Sequence, residues 1–379
     1  MSGFGFGTLA LLTAVGFAGP LLASLPHLRI PLIIGELVAG LVLGKTGFGV
    51  LDESNATFQL FANIGFALVM FVAGTHVPVR SREVRAAVPR ALARAVLCGV
   101  VAAALGVGLA WQFGTGHAAL YAVLMTSSSA ALALPVIGSM HLRGPPVLSL
   151  TAQIAIADTA CIVLLPLVID LRRAPTAALG ALAIAACAVL LFVVLLAADR
   201  RGWRQRMHDY SEKHKFALEL RTNLFVLFAL AALAVSTHVS IMLAGFALGL
   251  VIASVGEPRR LARQLFGITE GFFGPLFFVW LGASLRVREL GAHPKLILLG
   301  AGLGLGAVLA HCVGRLLGQP LTLAVLSAAQ LGVPVAAATI GTEEHLLAAG
   351  EGSALMFGAL LTVVSASVAG ALAARGQPK

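Results

Sequence analysis

Charge is scarce in this chain. Of 379 residues only 11% are Asp, Glu, Lys or Arg, where a soluble domain carries roughly 25%. A water-soluble protein of this size could not cover its surface with so few polar side chains, which excludes an ordinary soluble enzyme. The 59% hydrophobic content excludes a disordered chain. Cysteine is scarce as well. Cys98, Cys161, Cys187 and Cys312 lie inside apolar runs and form no CxxC pair, so neither a disulfide framework nor a zinc site is indicated. The 42 glycines follow no G-X-Y period, which removes a collagen-like fibre. A Gly-rich phosphate loop, a His/Cys cluster and a Ser-His-Asp set are all missing. An enzyme, a resident metal and a cofactor are therefore not expected. What the chain has in quantity is apolar sequence, and it reads as an all-α polytopic membrane protein.

A bilayer-crossing helix needs about 20 mostly apolar residues. Thirteen spans are predicted near 4–25, 29–47, 57–79, 90–113, 117–140, 147–169, 175–198, 216–237, 239–256, 265–285, 294–318, 320–341 and 351–373. Because so many apolar runs follow the first, it reads as a span and not as a cleaved signal peptide. The net charge of +10 would suit nucleic acid, but the basic residues sit in short loops between spans, so no nucleic-acid partner is expected. With the N-terminus outside, 18 Lys and Arg fall in inner segments and 6 in outer ones. That bias predicts an N-out, C-in protein of the plasma membrane.

Two motifs repeat. Ala39–Gly44 and Ala244–Gly249 both read A-G-x-x-L-G, and the LVMFVAG of Leu68–Gly74 is echoed by the LFFVWLG of Leu276–Gly282. The two offsets nearly agree, and the second copy lies an odd number of spans, seven, after the first, which inverts it in the membrane. Inverted repeats are a recurrent plan for secondary transporters, with the site at the midplane. The chain accordingly divides into a first half-repeat with a linker helix (1–198), a cytoplasmic linker (199–215) and a second half-repeat (216–379).

A charge at the bilayer centre costs at least about 2.5–3.5 kcal/mol, so each one there requires a reason. Asp158 stands near the middle of the sixth span. It can take up a proton or, ionised, coordinate a small cation; a purely structural carboxyl is the alternative. The fifth span carries Thr126-Ser127-Ser128-Ser129 at its centre. Such hydroxyls compete with the helical backbone for hydrogen bonds. They mark either a discontinuous helix or a polar helix–helix contact. The repeat offset carries this run onto Gln330-Leu331-Gly332-Val333-Pro334, where a second break is expected near 331–334. Arg315, toward the inner end of the eleventh span, either pairs with a carboxylate or reaches the interface. Glu36, Glu219 and Glu270 can equally serve packing, and His311 reads as an interface histidine.

Taken together, Ile34-Gly35-Glu36-Leu37-Val38-Ala39-Gly40, the Thr126–Ser129 run, the Ala157-Asp158 step and the GASL end of the tenth span resemble the cation:proton antiporter-2 family over about residues 10–370. The resemblance implies a 13-helix sodium/proton antiporter fold with inverted repeats and two broken helices. In it a core bundle moves against a dimerisation domain, so a homodimer in the lipid bilayer is expected. Asp158 would bind the ion and the proton. Thr126, Ser127 and Ser128 would lie at the broken-helix crossing, Arg315 would be the charge partner, and Glu36 and Glu270 would be supporting acids of the panel helices. The implied function is exchange of a monovalent cation, Na⁺ or K⁺, for H⁺. It is expected to be electroneutral, because Ala157 stands where many members have a second acid or an amide. A sodium-coupled organic-anion symporter and a non-transporting membrane component are the competing readings.

Overall fold

In a computed structural model the chain is described over residues 4–24, 32–77, 79–214, 216–256, 259–285, 287–292 and 294–375. Arg29, Lys215, Arg286 and Lys379, counted above in the loop charge balance, lie outside the described residues. Among the described residues there is no strand. The helices are α1 (Phe6–Gly16), α2 (Ala18–Ala23), α3 (Leu32–Leu43), α4 (Ala56–Thr75), α5 (Arg82–Phe113), α6 (Ala118–Thr126), α7 (Ala130–Ser139), α8 (Pro145–Ile169), α9 (Ala174–Arg200), α10 (Trp203–His214), α11 (Leu218–Ser236), α12 (Ile241–Val255), α13 (Arg259–Ile268), α14 (Gly274–Ser284), α15 (Val287–Ala292), α16 (Pro294–Cys312), α17 (Leu321–Ser327), α18 (Gly332–Glu343) and α19 (Glu351–Arg375). A π-helical turn, Thr269–Phe273, joins α13 to α14, and a 3₁₀ segment, Val313–Leu317, extends α16.

An apolar chain without water at its backbone must satisfy every peptide group internally, and the helix does so within one segment. Where helices begin, polar side chains take over. Asn55 accepts from the N–H groups of Thr57 and Phe58 at the start of α4, and the Ser81 hydroxyl accepts from Val84 N–H at the start of α5. Within the described residues, each of the thirteen expected spans overlaps a helical segment. Ten described helical stretches are long and apolar enough to cross a membrane; Leu32–Leu43, Ala118–Leu134 and Ile241–Val255 are apolar but shorter. By length and composition alone, ten of the described stretches qualify as crossings. The expected linker 199–215 contains the polar helix α10.

Two packed groups emerge. In one, α3 pairs with α14 and α4 pairs with α12, flanked by α1, α2 and α11; in the other, α5 to α8 pack with α16 to α19. The repeated A-G-x-x-L-G motif explains the first group. A Cβ on Gly40 of α3, or on Gly44 just past its end, would collide with the backbone of Val279 or Ala283 on α14; a Cβ on Gly245 or Gly249 of α12 would collide with the backbone carbonyls of Ala67 or Phe71 on α4. Each motif copy lets its helix lie backbone-to-backbone on a helix of the other half, as an inverted duplication requires and as small residues at membrane helix contacts allow. Gly40→Ala is therefore expected to destabilise the protein by about 1–3 kcal/mol, seen as a lowered thermal midpoint in detergent. Gly108→Ala, on α5 with open space around it, should leave the midpoint within about 0.5 kcal/mol of the parent.

Candidate functional site: a crossing of two interrupted helices

The fifth span is broken where its hydroxyl run falls. α6 stops at Thr126, Ser127 and Ser129 are extended, and α7 starts at Ala130. The first two hydroxyls turn back onto the helix they end. Thr126 Oγ1–H donates to Ala122 O at 2.8 Å, and Ser127 Oγ–H donates to Leu124 O at 2.8 Å. Both hydroxyls thus bond back onto carbonyls of the last turns of α6, Leu124 O also accepting from Ser127 N–H. In the twelfth span α17 ends at Ser327, whose hydroxyl donates to Ala324 O at 2.7 Å, and α18 begins at Gly332. The break occupies 328–331, a few residues before the expected 331–334. The reason lies in Pro334, which sits in the first turn of α18, where the missing N–H of proline does no harm. It starts the second half-helix instead of ending the first.

The two breaks bond to each other. Ser128 Oγ–H donates to Ser327 O at 2.6 Å, and Ser129 N–H donates to Ala329 O at 2.7 Å. Asp158, on α8 and 2% exposed, accepts a 2.9 Å hydrogen bond at Oδ2 from Ala130 N–H, the first peptide of α7. A carboxylate at a helix N-terminus meets unpaired N–H groups and the positive end of the dipole. The site is thus a buried carboxyl held by one half-helix and flanked by extended backbone from two.

Of the expected ligands, Thr126 and Ser127 have spent their hydroxyl protons on their own helix, and Ser128 has spent its proton on the opposite half. Ser129 Oγ is buried with no hydrogen-bond partner, as are Gln153 Oε1 on α8 and Gln330 Nε2 in the second break. Buried polar groups are seldom left this way. Ser129, next to the peptide that holds Asp158, is the hydroxyl still able to serve an ion.

Arg315 is not brought to Asp158 here. It lies on the 3₁₀ segment past the last turn of α16, is exposed, and among the described residues makes no ion pair with Asp158. The tighter winding and Gly318 at φ +74° end the span there, so its side chain is left at the boundary. One turn earlier, His311 is the residue of that span that reaches the crossing. It is 1% exposed, its Nε2 stands 3.3 Å from Ser128 Oγ, and its Nδ1 is 3.0 Å from Ala307 O. A buried arginine is found elsewhere. Arg94 on α5 donates to Ser149 Oγ on α8 and to Leu317 O, both at 2.9 Å, tying the helix of Asp158 to the end of the eleventh span. Sequence reasoning counted Arg94 as loop charge and His311 as an interface residue; the one signal for either was polarity inside an apolar run. Glu36 and Glu270 do not join the crossing; both line a different cavity, between α3 and the π-helical turn.

Two further cavities, of about 540 and 300 Å³, enter between the two helix groups, and Trp280, Val335 and Thr339 line both. Their rims carry Glu53 and Asp170, in the loops after α3 and α8. Val335, in the first turn of α18, stands between them and the second break.

The family model for the transmembrane sodium/hydrogen exchangers matches residues 11–374. A putative Na⁺/H⁺ antiporter of Bacillus subtilis, YjbQ, is 24% identical over 94% of this chain and 61% of its own length. The Na⁺/H⁺ antiporter NhaS5 of Synechocystis is 28% identical over 83% of this chain and 46% of its own. The chain thus spans less than two thirds of either relative. A solved structure of the sodium proton antiporter MjNhaP1 from Methanocaldococcus jannaschii superposes with a TM-score of 0.68 at 17% identity, over 99% of both chains. The same architecture thus persists where little sequence does. With a family match over nearly its whole length and that fold, this multi-pass membrane chain belongs to the sodium/hydrogen exchanger family.

Proposed function

We propose that the protein is a secondary antiporter that exchanges a monovalent cation, Na⁺ or K⁺, for H⁺ by alternating access at Asp158. The observation that carries this reading is the buried Asp158 carboxylate, bonded to the first peptide of α7 beside two interrupted helices. A proton neutralises such a carboxylate, and so does a bare cation, so the two compete for one position. Ser129 Oγ and the extended carbonyls of the breaks supply oxygen ligands that a dehydrated cation needs. The group facing the cavities (α3, α4, α12, α14) stays in place while the bundle that carries the crossing moves against it. The moving site needs no cofactor, since its cargo is the cation and the proton, and the fixed group is where two copies meet as a homodimer.

The charge balance supports an N-out, C-in arrangement in the plasma membrane, with the two half-repeats at 1–198 and 216–379 around the inner linker 199–215. The rims with Glu53 and Asp170 then face outward, and the cavities are an outer vestibule. A cysteine at Tyr210, which is 54% exposed on α10, placed in a cysteine-free background, should be labelled in intact cells by membrane-permeant maleimides alone. Labelling by an impermeant reagent would invert the topology.

One acid at the crossing predicts one cation for one proton, because the loaded carrier has the same charge in either form. In proteoliposomes, a pH jump should drive exchange with at least one of Na⁺, K⁺ and Li⁺, at a rate that a valinomycin-set potential does not change. Absence of exchange with every cation would overturn the antiport reading. A reversal potential that tracks voltage would show a second titrating group in the cycle.

A further inference from the structure

The acids on the other helix group have a cavity of their own. The end of α1, α2, the start of α3 and the π-helical turn enclose about 200 Å³, lined by Thr13, Pro20, Leu32, Pro275, Glu36 and Glu270 among others. None of the crossing residues lines it. Glu36 is 4% exposed, yet it makes no hydrogen bond and no ion pair among the described residues. Room for it is made by Gly19, where a Cβ would come within 3.0 Å of Glu36 Cγ and Oε1. Glu270 is placed on the cavity by the π-helical turn Thr269–Phe273; single π turns are rare and concentrate at functional sites. The two carboxyls are close enough to act on each other electrostatically, but no hydrogen bond joins them, so they are not a pair sharing one proton across a short contact. The titratable side chain that acts on Glu270 is His76, at the end of α4, whose Nδ1 is bonded to Val72 O.

Two carboxyls face one apolar-walled cavity; when ionised, Glu36 has no hydrogen-bond or ion-pair partner among the described residues to offset its charge, and His76 acts on Glu270 alone. The space between them has room for a small cation with several waters, each of which takes about 30 Å³. We propose that Glu36 and Glu270 bind one monovalent cation in the α3–α14 layer, at a site separate from Asp158. Glu36 supplies the buried ligand and Glu270 the exposed one through which the ion enters. Thr13 Oγ1, which donates to Leu9 O, keeps its lone pairs available to the ion or to its waters.

Equilibrium binding of radiolabelled sodium or rubidium to the purified full-length protein at alkaline pH, with choline holding ionic strength, separates this site from the crossing. The parent should bind two cations per chain, Glu36→Gln one, Asp158→Asn one, and the double variant none. Binding by Glu36→Gln equal to the parent overturns the second site. So does a parent that binds a single cation abolished by Asp158→Asn, which is the result expected if the pair takes protons only. An Asp158→Asn variant that binds as the parent does, with the loss confined to Glu36→Gln, leaves the second site standing and refutes the role given to Asp158. Should Glu36→Gln fail to fold, Glu270→Gln at the exposed ligand is read in its place, with the same one-cation loss expected.

Discussion

Replacing Asp158 by Asn abolishes cation-driven proton movement in proteoliposomes. The amide keeps the size of the carboxyl, and its oxygen still accepts from Ala130 N–H, the bond now seen at 2.9 Å. The crossing therefore keeps its shape and the protein its fold. The variant loses the ability to alternate between a protonated neutral form and an ionised one. At a site that is 2% exposed, a neutral amide gives an incoming cation no compensating charge, and a bare ion in that position costs many kcal/mol. Exchange should fall to the background of empty liposomes at every pH tested. A well-folded Asn variant that exchanges at a tenth of the parent rate or better would remove Asp158 from the centre of the mechanism.

Ala130→Pro should be the most informative backbone change. Ala130 is the first residue of α7, where proline is favoured because the helix does not use that N–H. The residue before it, Ser129, is already extended at φ −111° and ψ 111°, as a residue preceding proline must be. The substitution leaves both half-helices intact, deletes the N–H that holds Asp158 and puts the ring Cδ in its place, so the carboxyl must turn away from the α7 terminus. A hydrogen bond to a charged group contributes about 1.5–3 kcal/mol, and 1.4 kcal/mol corresponds to a factor of ten. The ionised carboxyl loses that support, so at fixed pH a cation displaces the proton less readily. The half-saturating cation concentration should rise about tenfold or more, while Ala130→Gly, which retains the N–H, should stay within about threefold of the parent. Equal half-saturation in the Pro and Gly variants would show that the α7 terminus does not act on the ion.

Much of this protein is legible without coordinates. Scarce charge and long apolar runs determine an all-helical membrane chain, because a backbone in hydrocarbon must bond to itself. The A-G-x-x-L-G copies announce the duplication, because glycine at that spacing lets two helix backbones touch. The Thr126–Ser129 run announces the first break through hydroxyls that compete with the helix, and Asp158 announces itself as a carboxyl where none is cheap. The tertiary structure decided what spacing along one chain does not encode. The second break falls at 328–331, since whether Pro334 breaks a helix or starts one depends on which turn it occupies. Among four adjacent hydroxyls, only Ser129 keeps its oxygen unpartnered, because the partners of the others are fixed by backbone geometry on both halves. His311 reaches the crossing and Arg315 does not, because the 3₁₀ winding after Cys312 changes which side of the span faces inward. Glu36 and Glu270, 234 positions apart in the sequence, share a cavity only because α3 packs against the end of the π turn and α14. Sequence fixes local preference through each residue's own chemistry; which polar atoms finally meet is set by the packing of distant helices, and the ion site is made of such meetings.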